Sequence, residues 1–295
     1  MSQPAPSRPR LWIAGARPRT LPAAVAPVVA GTGAAAFEDS VVCWKALLAL
    51  GVSVCLQIGV NYANDYSDGI KGTDDDRIGP LRLVGSGLVP ARQVKIAALG
   101  FLALGAAFGV VLAATTTWWL LAVGAAALVA AWTYTGGPNP YGYRALGEVS
   151  VFVFFGLVAV LGTAYVQVER FTVPAVAASV GVGALACAIL VANNLRDIPT
   201  DITSGKRTLA VVLGDAGTRR FFSLLIVLAV LAAGVAAGAT AWALLALLFL
   251  PFGVRARQIV ARGADGPALI PVIQAVGLAE LIYALGLAVG LALGA

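Results

Sequence analysis

The sequence contains no histidine and few cysteines, and these two shortages exclude several kinds of catalytic site. Without histidine there is no His-ligated zinc, no Ser-His-Asp triad and no imidazole base, so acid–base work would fall to Asp, Glu, Lys, Tyr or the substrate. Cys43, Cys55 and Cys187 lie in or beside apolar stretches without CxxC spacing. They are expected to be small apolar residues, not metal ligands or redox centres.

Charge is also scarce, since only 12% of the 295 residues are Asp, Glu, Lys or Arg while 60% are hydrophobic. A mean hydropathy of +0.90 excludes an ordinary water-soluble globule. Apolar runs of about 20 residues predict an all-α polytopic membrane protein with about nine transmembrane helices, as two four-helix halves plus a ninth helix around a central cavity. The predicted spans are 20–37, 42–65, 93–113, 117–135, 147–167, 173–195, 219–238, 241–260 and 268–293.

The basic residues predict the orientation of these spans. With a cytoplasmic N-terminus, all of the 20 Lys and Arg except Lys45 and Arg170 fall on the cytoplasmic side. The chain is thus expected to be one transmembrane domain, 1–295, in the plasma membrane, with segments 1–16, 66–92 and 197–218 in the cytoplasm. The net charge of +6 is then mainly a topology signal, and no nucleic-acid partner is expected.

Two Asn/Asp clusters are the most informative feature that is present. NYANDYSD (61–68) and NNLRDIPTD (193–201) each end a long apolar stretch. Ionisable groups are costly at membrane depth and usually serve function there. The four aspartates Asp65, Asp68, Asp197 and Asp201 therefore predict a divalent-cation site, although a helix cap or a solvated loop is the alternative.

Helical spacing makes this prediction more specific. Asn61, Asp65 and Asp68 share one helix face, with Asn64 one step round the turn, and Asn193, Asp197 and Asp201 are spaced by four. We expect Pro199 to end or kink its helix between the two aspartates. Oxygen-only ligands suit Mg²⁺, which commonly bridges one or two carboxylates to substrate phosphates.

Basic and aromatic residues surround both clusters. The basic group can bind a diphosphate, although the positive-inside rule alone would place such residues there; it comprises Lys71, Arg77, Arg82, Arg144, Lys206 and Arg207. Tyr62, Tyr134 and Tyr143 either stabilise a cation in the pocket or belong to an interfacial aromatic belt. Glu280 is an isolated acid in the last span with no evident partner.

These motifs resemble the UbiA superfamily of intramembrane aromatic prenyltransferases. The resemblance is carried by the two Asp clusters together with ARPRTLPAAVAPVVAGTG, TYTGGPNPYGY and GKRTLAVVLGD. It extends from the first to the seventh span and is closest to the menaquinone-biosynthesis branch.

The resemblance implies a reaction and roles for particular residues. Mg²⁺ held by the four catalytic aspartates, with Asn61, Asn64 and Asn193 in support, would bind a polyprenyl diphosphate in contact with membrane lipid. The polyprenyl group would pass to 1,4-dihydroxy-2-naphthoate with loss of CO₂ and diphosphate, giving demethylmenaquinone. Arg17 and Arg19 are candidates for the acceptor carboxylate, or else topology anchors. The family's third acid of the first cluster is replaced by Gly72, with Asp74 as the nearest substitute.

Three alternatives stay open at this point. Another acceptor, such as 4-hydroxybenzoate, homogentisate, haem or a phospho-sugar, would use the same Asp clusters. A secondary transporter would also have repeats and intramembrane acids, but its site should lie near the midplane. A non-enzymatic lipid-binding scaffold would not need the aspartates. Prenyl length, oligomeric state and any catalytic base are not specified by the sequence.

Overall fold

A computed structural model describes residues 7–72 and 82–295, and within these ranges the chain is helical and contains no β-strand. We number ten helices. They are α1 (Arg8–Ala16), α2 (Pro22–Phe37), α3 (Cys43–Lys71), α4 (Ala91–Ala114), α5 (Leu120–Thr133), α6 (Gly147–Val168), α7 (Val173–Thr203), α8 (Leu209–Ala236), α9 (Ala241–Ala261) and α10 (Gly266–Leu293). The prediction of an all-α fold is confirmed.

The helices that are long and apolar enough to cross a membrane identify a multi-pass membrane protein. In the described ranges seven helices meet this test, namely α3, α4 and α6 to α10. An eighth span is the bent pair Arg8–Thr20 and Pro22–Phe37, which meet at 48°, while α5 is apolar but only 14 residues long. All nine predicted segments are thus helical, but a count of nine membrane spans stays a prediction.

Two helices extend further than their apolar runs. Helix α3 continues to Lys71 and α7 to Thr203, so both Asp clusters lie on helices and not in loops. The expectation that the helix could end at Pro199 is wrong, because α7 continues one more turn beyond it. A proline removes one backbone donor, and here the following turn is held by a hydrogen bond from the N–H of Lys206 to the carbonyl of Asp201, 2.8 Å.

Helix α7 lies at the centre of the molecule and is the most buried span. Its neighbours are α2, α6, α8 and α10. Small residues allow this close packing: a Cβ on Gly156 of α6 would lie 2.7 Å from the Cα of Gly183 in α7. The central position of α7 fixes the second Asp cluster at its end relative to every neighbouring helix.

Candidate active site

Asp68, near the end of α3, is a buried carboxylate at the centre of a group of polar side chains. Its carboxylate accepts a hydrogen bond from the hydroxyl of Tyr143. The Nζ of Lys206 lies 3.7 Å from Oδ1, and a guanidinium nitrogen of Arg82 lies 3.9 Å from Oδ2. The ammonium groups of Lys206 and Lys71 lie 4.7 and 5.2 Å from the centre of the Tyr143 ring. Three cations and one tyrosine therefore surround this carboxylate.

The segment that directly follows the second cluster, Lys206 to Thr208, contacts residues of both clusters. Thr208 donates a hydrogen bond to the carboxylate of Asp201, 3.2 Å. The N–H of Arg207 donates to the carbonyl of Tyr143, 3.0 Å, which ties the segment to the turn that carries this tyrosine. Lys206, whose own N–H bonds to Asp201, then reaches Asp68 on the other helix. Lys206 thus links the end of the second acidic cluster to Asp68 of the first.

Asp197, one turn before Asp201, is held by its chain neighbour. The guanidinium of Arg196 donates two hydrogen bonds to the Asp197 carboxylate, 2.7 and 2.8 Å, and both side chains are buried. Two parallel hydrogen bonds of this kind fix the orientation of the buried carboxylate. Arg196 is a site residue that the sequence reasoning did not single out.

Asp65 connects α3 to the segment that follows Arg82. Its two carboxylate oxygens accept hydrogen bonds from the N–H groups of Leu83 and Val84, 2.9 and 3.0 Å. The Arg17 guanidinium also lies near enough to interact with its charge. An ionised carboxylate has about four acceptor positions, so these bonds leave room for a further ligand.

The three predicted supporting asparagines form hydrogen bonds with four different residues. The Asn61 amide donates to the carbonyl of Ala16 and the hydroxyl of Thr20, both 3.0 Å. Asn64 accepts a hydrogen bond from Thr135, 2.7 Å. Asn193 donates to Ile189 of its own helix, 3.1 Å. The first two asparagines join α3 to neighbouring segments, and a metal-supporting role for all three stays a prediction.

The predicted diphosphate-binding residues divide into two groups. Lys71, Arg82 and Lys206 converge around Tyr143 and Asp68, and Lys71 also donates to the carbonyl of Thr135, 2.7 Å. Arg144 and Arg207 are exposed. Arg144 bonds to the side chain of Asn139, 2.7 Å, and Arg207 contributes its backbone N–H. Arg77 and Asp74 lie outside the described residues.

The three predicted pocket tyrosines occupy three different environments. Tyr62 is buried and donates to the carbonyl of Trp12, 2.7 Å, so it holds α1 against α3. Tyr134 packs edge-on against Tyr141, with ring centres 5.5 Å apart, and lines a cavity. Tyr143 contacts Asp68. Tyr134 would therefore contact a substrate in the cavity, and Tyr143 would contact a substrate beside Asp68.

Arg17 and Arg19, which lie between α1 and α2, are in different environments. Arg17 adopts a left-handed backbone conformation, φ 53°, between α1 and a short 3₁₀ turn, and lies near Asp65. Arg19 is exposed in that turn. The geometry therefore places Arg17, and not Arg19, beside an acidic residue of the site.

A cavity of about 650 Å³ lies between α3, α4, α5 and α6. Its walls are mostly apolar, and its polar end is formed by Gln57, Asn61, Asn64 and Tyr134. It follows α3 from Ala49 to Asn64, which at 1.5 Å per residue is roughly 22 Å. Such a space suits a long apolar chain whose polar head lies near Asp68.

The donor set fits Mg²⁺ in its chemistry. The acids are carboxylates with amide neighbours, and the sequence has no histidine to offer a softer ligand. Among the residues that the structure describes, no three His, Cys, Asp or Glu side chains form a group that could hold a metal by themselves. Mg²⁺ does not require such a group, because it usually takes one or two carboxylates and completes its shell with water and substrate phosphate.

Comparison with known proteins decides the family. The model of the UbiA prenyltransferase family matches residues 24–272. This chain belongs to the UbiA prenyltransferase family. It is 57% identical to the 1,4-dihydroxy-2-naphthoate octaprenyltransferase of Mycobacterium tuberculosis over 96% of this chain and 97% of that protein.

Solved structures of UbiA homologues share the fold. The apo structure of a homologue from Aeropyrum pernix has a TM-score of 0.72 at 18% identity, and covers 90% of this chain and 97% of its own. A homologue from Archaeoglobus fulgidus, bound to DMAPP and Mg²⁺, has a TM-score of 0.69 at 16% identity, and covers 94% of this chain and 98% of its own. The UbiA resemblance inferred from the sequence is confirmed.

Several residues of this UbiA site were missed by the sequence reasoning. Arg196 had a signal, because a basic residue directly before Asp197 within a predominantly apolar helix carries the same membrane cost as the acid. Thr208 and Thr135 had none, since hydroxyl residues are common at helix ends. The backbone donors of Leu83 and Val84 carry no sequence signal at all.

Proposed function

We propose that this chain transfers a polyprenyl group from polyprenyl diphosphate to 1,4-dihydroxy-2-naphthoate, with release of diphosphate and CO₂, to give demethylmenaquinol, which a separate oxidant such as air converts to demethylmenaquinone. The observation that carries this proposal is the end-to-end similarity, at 57% identity, to an enzyme named for that acceptor. The contact between Lys206 and Asp68, and an apolar cavity that reaches Asn61 and Asn64 of the first cluster, support the chemistry.

The diphosphate binds in the polar region shared by the two clusters. Lys206, Arg82 and Lys71 supply three positive charges there, and the Tyr143 hydroxyl orients the Asp68 carboxylate. These charges stabilise the diphosphate as it leaves, and a fixed electrostatic environment of this kind often makes the largest contribution to catalysis. This stabilisation lowers the free-energy barrier to breaking the bond between the prenyl carbon and the diphosphate oxygen.

Mg²⁺ is the metal that the site is proposed to take. Asp65, Asp68, Asp197 and Asp201 would hold it, with Asn61, Asn64 and Asn193 nearby. When bound, it neutralises charge on the diphosphate oxygens. The binding of Mg²⁺ and DMAPP by the Archaeoglobus homologue supports this assignment.

The prenyl chain lies in the apolar cavity and continues into the lipid. Each Å² of apolar surface kept from water contributes about 25 cal/mol, which favours a site inside the bilayer. Tyr134 presents its aromatic ring at the polar end of the cavity and Tyr143 lies beside Asp68, so both are available to stabilise the allylic carbon as it becomes cationic. The electron-rich naphthalene ring attacks this carbon, the carboxylate leaves as CO₂, and water is excluded from the cation.

The enzyme is proposed to lie in the plasma membrane with its polar region on the cytoplasmic side. The support is the distribution of the basic residues, of which Lys45 and Arg170 are the two exceptions at the opposite end. In the structure these two residues pair with Glu169 and Glu38 respectively, so both charges are partly compensated.

A competition assay tests the acceptor. Purified protein receives Mg²⁺, one polyprenyl diphosphate and an equimolar mixture of 1,4-dihydroxy-2-naphthoate, 4-hydroxybenzoate and homogentisate, and mass spectrometry identifies the prenylated products. Demethylmenaquinone with release of CO₂ is expected, and EDTA should stop its formation. A product from one of the other acceptors alone would refute the acceptor assignment, while labelled-solute uptake into vesicles without any prenyl transfer would favour a transporter.

A further inference from the structure

The outward face of α9 combines an apolar surface with two exposed arginines. Leu250, Pro251 and Val254 form the apolar part of this face, and Arg255 and Arg262 form its basic end. Both arginines are exposed, and neither forms a salt bridge with an acid among the described residues. We call the face formed by Leu250, Pro251, Val254, Arg255, Gln258, Ile259 and Arg262 the α9 groove.

Helix geometry places the two arginines together. They are seven residues apart, which is two turns of helix or roughly 10 Å along the axis. Gln258 lies between them on the same face. The opposite face of the helix is occupied, because the buried residues Gly253, Ala256 and Val260 pack into the protein. The arginine side chains therefore extend over one surface that the protein itself does not cover.

The neighbouring charges leave this surface strongly basic. Arg219 of α8, in contrast, is bound within the protein. It pairs with Asp215 and donates hydrogen bonds to the carbonyls of Val260 and Ala264, 2.6 and 2.9 Å. These bonds hold the end of α9 against α8. Asp265 follows Arg262 by three residues but forms no salt bridge with it in the described structure.

We infer that the α9 groove binds an anionic phospholipid, with its phosphate between Arg255 and Arg262 and an acyl chain along Leu250, Pro251 and Val254. A guanidinium binds phosphate oxygens through two parallel hydrogen bonds, and basic pockets at the membrane surface recognise acidic headgroups. The apolar part lies within the membrane span Ala241–Ala261, so the occupant must carry a hydrocarbon chain as well as a phosphate. An acidic peptide would satisfy only the basic end.

Native mass spectrometry of the full chain in detergent tests this site. The protein is incubated with equal amounts of phosphatidylglycerol and phosphatidylcholine, and the retained lipids are counted. Wild type should retain phosphatidylglycerol preferentially. The double variant Arg255→Gln/Arg262→Gln should lose this preference by about fivefold for each arginine, because each basic residue near a membrane surface contributes about 1 kcal/mol.

Arg257→Gln is the matched control. It removes the same charge from the same helix, but Arg257 is two residues from Arg255, so it points about 200° away from Arg255 around the helix axis and does not line the α9 groove. This variant should retain phosphatidylglycerol as wild type does. Equal retention of the two lipids by wild type, or equal losses in the control and the double variant, would overturn the inference. If the double variant does not fold, Arg255→Gln and Arg262→Gln are measured singly, and wild-type retention in both would overturn it.

Discussion

Asp68 shows how a single carboxylate is used at this site. It receives the Tyr143 hydroxyl and lies within 4 Å of Lys206 and Arg82, yet it is buried. A buried carboxylate without such partners would be strongly destabilising, and with them it becomes a fixed negative charge among cations. An incoming diphosphate would take over those cations, and the carboxylate would become available to a metal ion.

Lys206 should matter more than any exposed basic residue of the same loops. Lys206→Gln is expected to lower kcat about 10²-fold, the usual effect of removing one fixed stabilising group from a developing anion. Arg144→Gln removes the same charge from an exposed residue and should change kcat no more than about fivefold. Initial rates of prenyl transfer at saturating substrate measure both. Equal losses in the two variants would mean that net charge, and not the position of Lys206, determines the rate.

At the scale of helices, the sequence predicted the existence of the elements better than their ends. Each predicted span corresponds to a helix, because apolar runs have a clear length. Hydropathy placed the ends of α3 and α7 too early, because polar residues such as Asp68 and Asp201 were counted as loop although they remain helical. Helical spacing then predicted correctly that Asp65 and Asp68 lie on one helix.

Contacts between distant segments could not be predicted. Lys206 and Asp68 are far apart in sequence, and only the packing of α7 against its neighbours and the bond between Arg207 and Tyr143 bring them together. The backbone donors to Asp65 depend on the path of the chain after Arg82. Sequence patterns do not specify such paths, because any residue offers the same N–H group.

The close packing of α6 against α7 gives a prediction for these elements. Gly156→Ala would place a Cβ 2.7 Å from the backbone of both Gly183 and Ser179, so it should destabilise the fold by about 1–3 kcal/mol. Gly162→Ala, on the same helix, meets nothing within 4 Å and should be neutral or slightly stabilising. Thermal unfolding in detergent compares the two. A fall in Tm for Gly162→Ala as large as that for Gly156→Ala would contradict the packing described here.

At the scale of the whole molecule, the charge distribution predicts which face meets the cytoplasm. Ser204, in the turn after α7, should be cytoplasmic, and Ala239, between α8 and α9, should lie on the other side. In a background with Cys43 replaced by serine, Ser204→Cys should react with an impermeant maleimide in inside-out vesicles, and Ala239→Cys only in right-side-out vesicles. The opposite labelling pattern would reverse the topology.

The central claim is that both Asp clusters, from distant parts of the chain, hold one diphosphate through magnesium. Its most direct test is Mg²⁺-dependent binding of a non-reactive prenyl thiodiphosphate, measured by calorimetry on wild type, Asp68→Asn and Asp197→Asn. Asp215→Asn is the control, because Asp215 is exposed and pairs with Arg219 away from the site. We predict that wild type and the control bind the analogue only with Mg²⁺ and that both cluster variants lose this binding. Wild-type, Mg²⁺-dependent affinity in either cluster variant would contradict the claim.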